Sequence, residues 1–116
     1  MSPHHPTLAA GRWGTLTLLE QLGNVGSEVS RALRARAADN KARQEAAFER
    51  ALELIDLTIA DARWRGRRRE LCRAREVLCD FFVGDNAYDS TAESLDRYFL
   101  AFGMAARRAR DSSQRS

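Results

Sequence analysis

Four stripes of apolar residues at helical spacing constrain the fold of this chain more than any other feature. Each stripe recurs at intervals of three or four residues, which places its side chains on one face of an α-helix. The stripes comprise Leu18, Leu22, Val25, Val29 and Leu33; Phe48, Leu52, Ile55 and Ile59, with Ala47, Ala51, Leu54 and Thr58 beside them; Leu71, Ala74, Leu78, Phe81 and Phe82; and Leu95, Phe99, Phe102 and Ala106. Since no segment alternates between apolar and polar residues as a strand would, the sequence predicts an all-α fold.

Local signals predict where these helices begin and end. Thr17 and Glu20 form a capping box, and Ser90 and Glu93 form a second one, in which the hydroxyl and the carboxylate each accept a backbone N–H. Gly84 is suited to a left-handed C-cap of the third helix. The predicted helices run to about Ala38, from Lys41 to Ala60 after an Asp39-Asn40 turn, to Gly84, and from the second capping box to about Arg110.

The short connections between the helices predict their arrangement. A chain of 116 residues allows one domain, and connections of about two to eight residues favour antiparallel neighbours. We therefore expect an antiparallel up-down-up-down four-helix bundle over residues 15–110. Residues 1–14 hold both prolines and both histidines and have no periodicity, so we expect a flexible leader that is anchored by Trp13. Residues 111–116 are expected to form a flexible polar tail.

The side chains that usually carry catalysis are scarce. Both histidines, His4 and His5, lie in the predicted leader, so the bundle has no imidazole for acid–base work near neutral pH. Helical carboxylate pairs such as Glu53 with Asp56 lack the histidine that a di-metal bundle requires. We expect no enzymatic activity, metal, cofactor or small-molecule substrate.

The same chain carries no sign of export or membrane insertion. No apolar stretch approaches the roughly 18 residues that span a bilayer, and the first residues do not resemble a secretory signal. Two cysteines are too few for the disulfide scaffold of a small secreted domain. We expect a cytoplasmic protein without a membrane partner.

A stripe of small residues on the first helix indicates close helix packing. It comprises Gly23, Gly26, Ser27 and Ser30. Glycines inside a helix cost roughly 1 kcal/mol each, and the close approach of another helix, from the same chain or a second subunit, would explain them. A bent helix is the alternative. On the fourth helix, Tyr98 and Phe99 point about 100° apart, so one core stripe cannot take both. These residues predict a subunit interface and a homo-oligomer.

Charged and amide side chains on the first three helices form a candidate ionic network. Its members are Asn24, Glu28, Arg31, Glu53, Asp56, Arg75, Glu76 and Asp80. Such networks more often decide which helices pair than take part in catalysis, so we interpret this one as structural.

The segment from Arg63 to Arg75 concentrates positive charge, with seven arginines and one glutamate. Arginine donates paired hydrogen bonds to phosphate, and Trp64 could stack on a base. In the predicted bundle the end of the fourth helix lies at the same pole. The predicted nucleic-acid-binding residues are Arg63, Trp64, Arg65, Arg67, Arg68, Arg69, Arg73, Arg107 and Arg108. The alternative is a solvated surface whose arginine content reflects a GC-rich genome.

Longer segments of the chain resemble a family of small bacterial four-helix-bundle proteins. They read GNVGSEVSRA, FERALELIDLTI, REVLCDFF and GDNAYDSTAESLDRYFLAFGMAAR, and the resemblance covers roughly Arg12 to Arg108. In size, helix count and basic character the chain is also similar to two other groups. One comprises the bundle proteins encoded by intervening sequences of bacterial ribosomal-RNA genes. The other is the accessory variability determinant of diversity-generating retroelements, a pentameric bundle that binds the reverse transcriptase and its RNA.

Together, the basic segment and these similarities predict an oligomeric adaptor without enzymatic activity. Its expected partner is RNA or a nucleic-acid enzyme such as a reverse transcriptase, bound through the arginine-rich pole. The alternative is a protein–protein interaction module that does not bind nucleic acid.

Overall fold

The computed structural model describes residues 11–115, and in the last helix it describes side chains only up to Ala101 and at Met104 and Arg108. Within this range all regular structure is helical, which confirms the all-α prediction. The α-helices are α1 Leu18–Ala37, α2 Lys41–Ala60, α3 Arg68–Phe82 and α4 Ala92–Arg115, and 3-10 turns span Arg12–Thr15 and Ala62–Arg67. α4 extends past its predicted end near Arg110, and most of the predicted leader lies outside the described residues.

The first helix begins where the sequence places it. The Thr17 hydroxyl accepts a hydrogen bond from the Glu20 backbone N–H at 3.1 Å, and the Glu20 carboxylate accepts one from the Thr17 N–H at 3.0 Å. These two bonds satisfy backbone donors that the first turn of a helix leaves without partners. Asn40 caps α2 in the same way, by accepting from the Arg43 N–H at 3.2 Å.

The predicted capping box at Ser90 and Glu93 is wrong by one residue. Thr91 is the residue that caps α4: its hydroxyl accepts from the Ser94 N–H at 3.0 Å, and the Ser94 hydroxyl accepts from the Thr91 N–H at 2.9 Å. Ser90 belongs to the preceding loop, because its N–H and its carbonyl both bond the side chain of Asn86. Because these bonds hold Ser90 in the loop, the next residue, Thr91, caps the helix.

Gly84 does not form the predicted left-handed C-cap. The left-handed backbone conformations of this loop are those of Asn86 and Asp89, with φ angles of 53° and 54°. Gly84 is needed for another reason, because a Cβ atom there would lie 3.0 Å from the Asp80 Cα. The Asp80 carboxylate holds the loop by accepting the N–H groups of Ala87 and Tyr88 at 2.7 and 3.0 Å.

The core forms where α1 packs against α2 and α4, and α2 packs against α3. On α1 the predicted stripe is confirmed from Leu22 to Leu33. On α2 the buried residues are Ile55 of the predicted stripe and the four residues that the sequence places beside it, Ala47, Ala51, Leu54 and Thr58. Phe48 and Ile59 lie at the edge of the core. Trp13 is 4% exposed and joins the core from the N-terminal 3-10 turn.

α1 and α4 approach each other closely at Gly26. A Cβ atom at this position would lie 3.0 Å from both the Cβ and the carbonyl oxygen of Phe99. One turn further along α1, the Ser30 hydroxyl donates a hydrogen bond to the Asp96 carboxylate. Two members of the small-residue stripe therefore contact a helix of the same chain.

No helix among residues 11–115 is both long and apolar enough for a membrane crossing.

Candidate nucleic-acid interface

Asp61 organises the turn between α2 and α3. Its carboxylate accepts hydrogen bonds from the Arg63 N–H at 3.0 Å and from the Arg63 guanidinium at 2.7 Å. The Gln21 amide donates a third bond at 3.1 Å. These bonds, those of Arg63 foremost, hold the pKa of Asp61 well below its usual range. Arg63 also donates to the Leu16 carbonyl at 2.8 Å, so it ties the turn to the start of α1.

Gln21 links the same turn to the N-terminal segment. Its side chain is fully buried, donates to the Trp13 carbonyl at 2.8 Å and accepts from the Trp64 indole N–H at 2.9 Å. The Arg63 guanidinium carbon lies 4.4 Å from the centre of the Trp64 ring. Trp64 is consequently half-buried and hydrogen-bonded within the chain, whereas the predicted stacking on a base requires an exposed ring.

Three further arginines of the segment bond within the chain. Arg68 donates to the Ile59 carbonyl at 3.1 Å, near the end of α2, where helix carbonyls lack partners. Arg67 pairs with Glu70 at 3.0 Å on the surface. Arg75 bonds the Asp56 carboxylate at 2.7 Å, which raises the pKa of the arginine. Together with Arg63, four of the seven arginines in the segment therefore bond groups of the same chain.

The remaining arginines of the segment, Arg65, Arg69 and Arg73, are exposed. We call this set the basic pole. Arg65 lies in the anchored 3-10 turn, and Arg69 and Arg73 follow on α3, with Arg73 5.7 Å from the centre of the Tyr88 ring. Arg108 is also exposed, on α4. The side chain of Arg107 lies outside the described residues.

The predicted interface residues divide into two groups. Gly26 and Ser30 contact α4, as described above. Gly23 and Ser27 line a surface groove together with the exposed Leu100 and Met104 of α4. Tyr98 is 49% exposed on another side of that helix, and the partial burial of its phenol, together with the nearby Glu70, raises its pKa.

Members of the candidate ionic network bond different partners. The buried Glu28 accepts hydrogen bonds from Arg31 at 2.6 Å and from Arg50 at 2.9 Å. Glu76 accepts from the Tyr88 hydroxyl at 3.1 Å and contacts neither of these arginines. The sequence analysis missed Arg50. The signal for it was the position of Glu28 beside Val29 in the apolar stripe, because a buried carboxylate requires a basic partner.

A second basic surface, which the sequence analysis also missed, lies between α1 and α2. Its walls are Arg31, Arg34, Arg43 and Arg50. Its floor comprises Ala35 of α1 and Ala46 and Ala47 of α2. Ala38 and Asn40, which lie between the two helices, also line the cavity, which measures about 450 Å³. We call this surface the arginine groove.

The part of the chain that the structure describes offers few candidate sites for metal or thiol chemistry. No three histidine, cysteine, aspartate or glutamate side chains there form a cluster that could hold a metal ion. Cys72 is exposed and Cys79 half-buried, both as free thiols. Comparison with family models, curated proteins and solved structures found no match to this chain.

Proposed function

We propose that the chain is a cytoplasmic, non-enzymatic adaptor that binds the phosphate backbone of RNA through the basic pole. The observation that carries the proposal is the exposure of Arg65, Arg69 and Arg73 on and beside a turn that the core holds in place. Exposed guanidinium groups suit phosphate, because each offers several N–H donors in a planar fork. Phosphate contacts of this kind give affinity without sequence preference.

The anchoring of the turn supports this function energetically. Arg63, Trp64 and Gln21 form hydrogen bonds that fix the backbone from which Arg65 projects. A surface that is ordered before binding loses less conformational entropy when a ligand arrives. Arg63 and Trp64 therefore act as supports of the basic pole in this proposal, and the exposed arginines make the contacts.

An antiparallel up-down-up-down order of the helices would add Arg107 and Arg108 to the same pole. Two contacts support this order: Asp96 meets Ser30, and Phe99 meets Gly26. The later of these two α4 residues contacts the earlier of the two α1 residues, so the helices run in opposite directions. The end of α4 would then approach the turn that follows α2.

Self-association belongs to the proposal. Leu100 and Met104 are about half exposed, although apolar side chains on adjacent turns of a helix usually pack against a neighbour. Gly23 and Ser27 leave the space beside Leu100 and Met104 open. Light scattering at micromolar concentration is expected to give a mass above that of one chain, and a monomer would contradict this part of the proposal.

Binding of single-stranded RNA over a range of salt concentrations tests the basic pole. The double variant Arg65→Glu/Arg69→Glu is expected to lose most of the affinity. Each lost phosphate contact should lower the slope of log affinity against log salt by about 0.7. The matched control, Lys41→Glu/Arg97→Glu, changes the net charge equally at other exposed positions. Equal losses in both variants would show that overall charge, and not this pole, attracts RNA.

The resemblance to the retroelement accessory protein makes a reverse transcriptase and its RNA the first partners to test. The alternative function, a protein–protein module, is favoured by one observation. A groove between α3 and α4 is lined by Ala74, Val77, Leu95 and Tyr98, among others. If the chain captures the enzyme without RNA, and the Arg65→Glu/Arg69→Glu variant still does so, the alternative is correct.

A further inference from the structure

The arginine groove gathers charge from parts of the sequence that are far apart. Arg31 and Arg34 come from the second half of α1, and Arg43 and Arg50 from the first half of α2. None of these residues belongs to the basic pole. The groove is therefore a second basic surface, and what it binds is a separate question from RNA binding.

Glu28 fixes the positions of two of the arginines that line the groove. Its side chain is 7% exposed, and its two carboxylate oxygens each hold one arginine, Arg31 and Arg50. Each guanidinium has five N–H donors in a planar fork, and it bonds Glu28 through one nitrogen, Nη1 of Arg31 and Nε of Arg50. The buried carboxylate thus fixes the positions of two cations that line the groove.

The charge of the groove suits a diphosphate. Four arginines line it, and Glu28 neutralises one positive charge, which leaves a net charge of +3. A terminal phosphate carries about −1.5 to −2 at neutral pH, and a second, esterified or bridging phosphate brings the total to about −3. A single phosphate or a sulfate would leave part of the positive charge uncompensated.

The floor of the groove leaves room for such a group. Ala35 and Ala47 are buried, and Ala46 is half-buried, so the side chains between the two helices end at Cβ. An anion can consequently approach the helix surfaces closely while arginines reach it from both sides. Arginine is the residue best matched to phosphate oxygens in such a position, because it donates two parallel bonds.

We propose that the arginine groove binds a diphosphate group, either as inorganic pyrophosphate or as part of a nucleoside diphosphate. The ligand contacts Arg34 and Arg43 on the open side of the groove and Arg31 and Arg50 on the side that Glu28 fixes. This site acts independently of the basic pole.

Isothermal titration calorimetry of the full chain tests the proposal with pyrophosphate, ADP and inorganic phosphate as probes. Pyrophosphate is expected to bind at least about tenfold more tightly than phosphate. Tighter binding of ADP than of pyrophosphate would identify the nucleoside diphosphate as the form that is bound, and the reverse order would identify the inorganic form. No heat with either diphosphate, or equal affinity for phosphate, would overturn the proposal.

Two variants locate the binding. Arg34→Gln/Arg43→Gln should weaken pyrophosphate binding by about tenfold or more, because both side chains are exposed and their loss leaves the core intact. Ala46→Leu should weaken it as well, by filling the groove without changing any charge. The matched control, Arg65→Gln/Arg69→Gln, should bind pyrophosphate as the unmodified chain does. A loss in this control equal to that of the groove variant would overturn the proposal.

Discussion

The two basic surfaces of the molecule, the basic pole and the arginine groove, hold their arginines in opposite ways. Around the pole a dense run of arginines in the sequence is divided among different partners, because Arg63 bonds the start of α1 whereas Arg68 and Arg75 bond residues of α2. In the groove, arginines that are dispersed along the sequence meet on adjacent helices. Local charge density in a sequence is therefore a poor guide to charge density on a surface, and the pairing of helices is a better one.

The two surfaces also differ in the carboxylate that supports them. Asp61 stands in a turn and bonds a neighbouring arginine two residues away, together with an amide from α1. Glu28 stands inside a helix and reaches arginines on both α1 and α2. The first carboxylate shapes one short segment, whereas the second joins two helices. The following predictions test this difference, from the largest expected effect to the smallest.

Gln21→Leu is expected to cost the most stability, about 3 kcal/mol of unfolding free energy. The substitution leaves the Trp13 carbonyl and the Trp64 indole N–H without their partner, and each buried unpaired group costs about 1–3 kcal/mol. Urea denaturation followed by circular dichroism measures the change. Asn24→Leu, on the exposed side of the same helix, is the control and should cost far less. Similar losses in both would mean that Gln21 is not the support of the pole.

Glu28→Gln is expected to cost about 2 kcal/mol. Breaking a buried ion pair costs about 3–5 kcal/mol, but water can reach Arg31 and Arg50, which are 58% and 30% exposed, and reduces the loss. The same denaturation experiment applies, with the exposed Glu45→Gln as control. A cost below that of Asp61→Asn would contradict the distinction between a carboxylate that joins helices and one that shapes a turn.

Asp61→Asn is expected to cost about 1 kcal/mol or less near pH 7, since its ion pair is partly open to solvent. Hydrogen bonds from Arg63 lower the pKa of Asp61 in the folded chain, so the unfolded chain binds the proton first as the pH falls. The stability that Asp61 contributes is present above its unfolded pKa of about 3.9 and is lost as the pH falls below it. Denaturation from about pH 6 to pH 2 should show the variant approaching the unmodified chain. A constant difference across this range would remove the proposed role of the carboxylate.

Arg67→Gln is expected to change the unfolding free energy by less than about 0.5 kcal/mol. Its pair with Glu70 is exposed on both sides, at 57% and 69%, and such pairs contribute little. Arg63→Gln provides the contrast, because that arginine bonds both Asp61 and the Leu16 carbonyl and should cost more. If both variants were equally harmless, the turn would not depend on its arginines.

The sequence predicted those features that depend on bonds between residues close together in the chain. The limits of α1 and α2 follow from Thr17, Glu20 and Asn40, whose capping bonds join residues three apart. The cap of α4 was missed because three hydroxyl residues stand near its start, and the choice between Ser90 and Thr91 depends on the side chain of Asn86.

The features that the sequence could not predict depend on residues far apart in the chain. The half-burial of Trp64 follows from Gln21, which is 43 residues away. The arginine groove requires the register between α1 and α2, and this register is set by packing of small alanines such as Ala47 that no charge pattern reveals. Gly26 was found as part of a small-residue stripe, but the sequence did not indicate which helix would approach it.

The contacts of Gln21 have a consequence for how the molecule can be observed. Trp13 and Trp64 are the two tryptophans of the chain, and the amide of Gln21 bonds both of them. The Trp13 ring lies in the core and the Trp64 ring lies beside the basic pole, while the arginine groove has no tryptophan in its lining. A ligand at the pole will alter the emission spectrum directly, whereas a ligand in the groove will leave it almost unchanged. Intrinsic tryptophan fluorescence can thus distinguish a ligand at one basic surface from a ligand at the other.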